Sequence, residues 1–136
     1  MYILMDLMEK YKEELAIDTA VDEMNVLEQQ MKLPAVKHKW VARLIEHKNK
    51  LNKLNRRRKS TRAAVLANLE TNGIPIGIPK GKIESKIDGT ESMTFLDEEI
   101  EDVECMILYL EKIEQIFRSM TYDIKNIVEI QKMESM

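Results

Sequence analysis

The chain is poor in the residue types that arm or punctuate a fold. Its 136 residues include one cysteine, Cys105, so no internal disulfide framework can form, which fits a reducing cytoplasm. Four glycines and three prolines interrupt regular structure rarely, and that favours helix. Aromatic residues make up 5%, too few for a broad base-stacking platform. His38 and His47 are not separated by the three or four residues that would place two ligands on one helix face. No phosphate-cradling GxxxxGK[ST], dinucleotide-binding GxGxxG or nucleophile-bearing GxSxG motif occurs. No run of 18 apolar residues is present, so no membrane span is expected. The opening "MYILMDLMEK" has an acid inside its apolar stretch and no leading cations, unlike a secretory signal. These absences predict a helical, non-enzymatic protein with neither cofactor nor metal.

What the chain has in abundance is segregated charge. The net charge is −3, yet residues 37–62 carry eleven bases and one acid, a net of +10. Residues 1–36 carry three bases and eight acids, and residues 84–136 carry five bases and fourteen acids. Like charges at that density repel unless an anion is supplied, and a polyanion meets that need whatever the total charge. The run "KLNRRRKSTR" from Lys53 to Arg62 is its densest part.

Four regions follow along the sequence. Residues 2–31 read as helical, with Ile3, Leu4, Leu7, Met8, Tyr11 and Leu15 at helical spacing and a second short helix capped by Asp18 or Thr19. Pro34 then suits a first turn, which predicts a basic helix over 34–70. On it, Val36, Trp40, Leu44, Leu51 and Leu54 share an apolar side, so Trp40 is read as packing rather than stacking on bases. Lys39, Arg43, Lys50 and Arg57 form a basic stripe beside them. Residues 72–92 hold all four glycines and two of the prolines and read as a loop, with an edge strand over Ile74, Ile76 and Ile78 as the ordered alternative.

The last region is the most regular. From Thr94, Leu96, Ile100, Val103, Ile107, Leu110, Phe117, Ile124 and Val128 recur on alternating steps of three and four over about five heptads. Thr94 and Asp97 resemble a capping box. The acids at 97–104 could suggest a di-metal site, but helical sites of that kind use Glu-x-x-His pairs, and no histidine lies beyond His47. About forty helical residues span roughly 60 Å, and a chain of this size is not expected to cover so long a stripe alone. The expectation is an all-α fold: an elongated protomer whose amphipathic C-terminal helix, 94–136, assembles copies, joined to an N-terminal nucleic-acid-binding region over 1–93. The nine candidate contacts to phosphate are Lys39, Arg43, Lys50, Lys53, Arg56, Arg57, Arg58, Lys59 and Arg62. The alternative is an oligomeric coiled-coil adaptor whose basic helix docks an acidic protein surface.

The order of parts resembles the UvsY family, the recombination mediators of T4-like phages. The resemblance is carried by "LPAVKHKWV", with Pro34, Val36, Lys39 and Trp40 in family positions, by "LNKLNRRRK", and by Ser119, Tyr122, Ile124 and Lys125 in "SMTYDIKNI". Met120 stands where the family usually has arginine, and the Gly/Pro segment has no family counterpart. The resemblance implies a ring-like homo-oligomer, hexameric or heptameric, acting in the cytoplasm of a bacterial host. It further implies binding of single-stranded DNA through the basic region. It also implies two protein partners: a RecA-like phage recombinase, and the phage single-strand-binding protein that the recombinase must displace.

Overall fold

Leu4, Leu7, Met8, Tyr11, Glu14, Leu15 and Asp18 recur at steps of three and four and form the inward side of the first helix, α1 (Tyr2–Asp18). The computed structural model describes residues 2–73 and 77–136, and the helices among them are α1, α2 (Val26–Thr71), α3 (Lys80–Asp88) and α4 (Glu91–Glu134). No strand occurs among the described residues. The chain divides into two compact units, Met1–His47 with Met106–Met136, and Lys48–Cys105. Helices α2 and α4 contribute a segment to each.

The first unit is built on an aromatic core. Tyr11 meets Trp40 edge-on at 5.5 Å between ring centroids, and Trp40 lies 6.4 Å from Phe117. Val26, Leu33, Leu44, Leu110, Ile113, Met120 and Ile124 are buried with them. Asp22 shapes the turn between α1 and α2: its carboxylate accepts from the backbone N–H groups of Met24 and Asn25, at 2.8 and 2.9 Å. The short capped helix expected from Asp18 or Thr19 does not form. Thr19 instead donates its hydroxyl to the Leu15 carbonyl at 2.7 Å and closes α1.

Pro34 does not begin a helix. It lies inside α2, two turns beyond Val26. A proline in a helix interior costs about 3 kcal/mol through a lost hydrogen bond and a clash with the preceding turn. The burial of Val26 and Leu33, each worth roughly 1.5–3 kcal/mol, offsets that cost and keeps those turns helical.

The second unit packs α3 and the first part of α4 against the later part of α2. Its core is Leu54, Ile87, Met93, Leu96, Ile100 and Val103, with Met93 fully buried. Gly73 closes α2 in a left-handed conformation, φ +82°, which only glycine adopts freely. Helix α3 forms within the stretch 72–92 that reads as loop in the sequence. Burial of Ile87 at 2% exposure anchors it, and Gly89 ends it, its N–H donating to the Ser85 carbonyl at 3.0 Å. The strand considered over Ile74–Ile78 falls chiefly on residues 74–76, outside those described. Helix α4 begins three residues before Thr94, and Asp97 serves as an ion-pair partner rather than as part of a capping box.

The heptad stripe of α4 is covered within one chain. Leu96, Ile100, Val103, Ile107, Leu110, Phe117 and Ile124 are all buried, and Val128 is half-buried. A second copy, expected as the natural cover for this stripe, is not needed to bury it, because the chain's own helices do so. The apolar positions that α4 leaves exposed include Phe95, Leu108, Ile116, Ile130 and Met133.

Candidate nucleic-acid interface

The nine candidate cations sort into two groups. In the first unit, Lys39 Nζ lies 2.5 Å from Asp18 and 3.6 Å from Glu14, and Arg43 pairs with Glu14 at 2.5 Å. The Arg43 guanidinium also sits 4.5 Å from the Tyr11 ring centroid and 4.7 Å from that of Trp40. Trp40 Nε1 donates to Asp18 at 2.9 Å, and the indole is 3% exposed, so it is core. The hydrogen bond from Arg43 holds the Glu14 carboxyl below its usual pKa, and burial raises that of the Tyr11 hydroxyl. Lys39 and Arg43 thus join α2 to α1.

In the second unit, Arg58 Nε donates to Asp97 at 2.6 Å, and this bond raises the arginine's pKa further. Asp88 lies 3.7 Å from Arg58 and 3.2 Å from Arg62. These two arginines therefore join α2 to α3 and α4. Charge-assisted pairs of this kind orient the helices, although partial exposure limits each to about 1 kcal/mol.

Five cations remain: Lys50, Lys53, Arg56, Arg57 and Lys59. All are exposed, and none has an acid within 4.0 Å among the described residues. The first three and Lys59 follow one another by three residues, and Arg57 lies one turn beyond Lys53. Buried Leu54 and half-buried Leu51 fix which side of the helix faces inward. The pairs 50–53, 53–56, 56–59 and 53–57 are like-charged neighbours, together destabilising by on the order of 1–2 kcal/mol. A bound polyanion removes that repulsion.

Beside this ladder runs a second one that charge counting misses. Asn49, Asn52 and Asn55 are also three apart and exposed, and their amides are further donors to phosphate. The repeat is visible in "NKLNKLNR" as a period of three. Among the described residues, no group of His, Cys, Asp and Glu side chains is arranged to hold a metal ion. No helix there is long and apolar enough to cross a membrane.

Comparison with known proteins bears on this arrangement. No curated relative matches by sequence. Three crystal structures of the bacteriophage T4 recombination mediator protein UvsY share the fold. The lattice type IV structure superposes with a TM-score of 0.80 at 14% identity, covering 93% of this chain and 97% of that one. The type II structure gives 0.79 at 16% identity, covering 94% and 97%, and type I gives 0.78 at 15%, covering 90% and 97%. The profile of the family described as "Recombination, repair and ssDNA binding protein UvsY" matches residues 10–136. With nearly its whole length matched by that profile, the chain belongs to the UvsY family.

Proposed function

We propose that this protein is a recombination mediator that holds single-stranded DNA along α2 between Lys50 and Lys59, without reading its sequence. One observation carries this reading: five exposed cations without acidic partners crowd ten residues of one helix, in a member of a family described by ssDNA binding. Lysine and arginine on a helix exterior, flanked by asparagine amides, are donors to phosphate oxygens, and phosphate contacts carry no sequence code. Counterion release supplies the affinity, which therefore falls as salt rises.

Several copies on one particle would act at high effective concentration on one strand. Because the heptad stripe is spent inside the chain, we assign self-association to the exposed apolar positions of α4. On a helical wheel Leu108, Ile116, Ile130 and Met133 fall within an arc of roughly 100°. A ring of six or seven copies is the assembly we propose. Its partners are a RecA-like recombinase and the phage single-strand-binding protein, in phage recombination, repair and replication. The test is equilibrium binding of unrelated single-stranded oligonucleotides across salt. Equal affinities that fall steeply with salt are expected; salt-independent binding or a strong sequence preference would overturn the reading. Binding to an acidic protein with none to DNA would favour an adaptor instead.

A further inference from the structure

Phosphate contacts alone do not tell a single strand from a duplex, because both present phosphate. Discrimination needs a group that engages an unpaired base, and an aromatic face is the usual one. Two large aromatic side chains are prominently exposed among the described residues: Phe95 at 63% and Tyr122 at 69%. Phe95 lies in the second unit with the five unpaired cations, and Tyr122 does not.

Phe95 sits in the second turn of α4, and its neighbours Met93 and Leu96 already fill the core at 0% and 5% exposure. Packing therefore gives no reason for a phenyl ring at this position. Phe95 instead lines an open depression of about 490 Å³ together with Arg57, Thr61, Glu91, Ser92 and Leu96. Arg57 is an exposed member of the cation ladder, so the depression adjoins that surface. The Glu91 carboxylate in the same depression disfavours a phosphate there and favours an uncharged base. A phenyl ring, a leucine, two hydroxyls, a carboxylate and a guanidinium thus share one depression, a lining whose chemistry suits an unpaired base beside its phosphate.

We propose that Phe95 is a base-stacking residue, with Arg57 holding the neighbouring phosphate, and that this subsite gives the surface its preference for single strands. The proposal rests on the reading of α2 as the strand-binding surface. A duplex keeps its bases stacked and cannot fill the depression.

The test compares three ligands of equal length at one salt concentration: a thymidine oligonucleotide, an abasic oligonucleotide with the same phosphates and no bases, and a duplex. The full-length protein should bind the base-bearing strand at least about fivefold more tightly than the abasic strand. Phe95→Ala should abolish that difference while leaving abasic and duplex affinity and the salt slope unchanged. Phe95→Trp should preserve it, with emission quenched by the base-bearing strand alone. Equal wild-type affinity for the two strands would overturn the subsite, as would a difference that survives in Phe95→Ala. A lower particle mass for Phe95→Ala with the base preference intact would also overturn it, by making Phe95 a contact between copies. Failure of the wild type to bind any of the three ligands would instead overturn the strand-binding reading itself.

Discussion

Replacing Lys53, Arg56 and Arg57 together by alanine removes three of the five unpaired cations on α2 and no ion pair. Each phosphate contact to a single strand adds about −0.7 to the slope of log K against log salt. Five contacts give about −3.5 per protomer, and the triple substitution should reduce this to about −1.4. At 0.1 M salt the same arithmetic predicts a loss of about a hundredfold in affinity. Fluorescence anisotropy with an oligonucleotide of about eight nucleotides keeps engagement near one protomer. Lys39→Ala and Arg62→Ala are the matched controls, since both cations are paired in the fold and should leave the slope near its wild-type value. A triple variant with the wild-type slope, or a Lys39→Ala slope as shallow as the triple's, would refute the division between free and paired cations.

Three further outcomes follow from the packing. Pro34 is exposed inside α2, so Pro34→Ala restores a backbone donor at no loss of core and should raise stability by about 1–3 kcal/mol in urea unfolding; a less stable variant would mean the proline is required there. Glu14 has its pKa depressed by Arg43, so the unfolded chain takes up its proton first as pH falls. Stability from this pair is complete above the ordinary value near 4.5, declines below it, and is lost below the depressed value. Glu14→Gln should flatten that part of the stability profile, and an unchanged profile would remove the pair from the acid response. Ile116→Glu places a charge in the exposed apolar arc of α4 and should lower the particle mass by sedimentation without changing helix content; an unchanged mass would move self-association elsewhere.

The parts legible in the sequence were those set by local spacing. The three- and four-residue steps from Leu96 to Ile124 marked α4, and eleven bases against one acid marked the basic stretch of α2. Two elements were hidden because packing overrode local preference. Val26 and Leu33 hold α2 helical on the far side of Pro34, and Ile87 anchors α3 within a stretch rich in glycine. Which cations are free was not legible either. The acids that occupy Lys39, Arg43, Arg58 and Arg62 lie 21 to 39 residues away in sequence. No count along α2 identifies them. The cover over the α4 stripe is equally non-local: the ring of Trp40, for one, lies 6.4 Å from that of Phe117.

Lysine acylation read by mass spectrometry, with and without single-stranded DNA, tests most directly which cations meet the strand. Lys50, Lys53 and Lys59 should lose reactivity when the strand binds, while Lys39, held by Asp18 and Glu14, keeps its unbound reactivity. Protection of Lys39 with no change at Lys50, Lys53 and Lys59 would contradict the assignment.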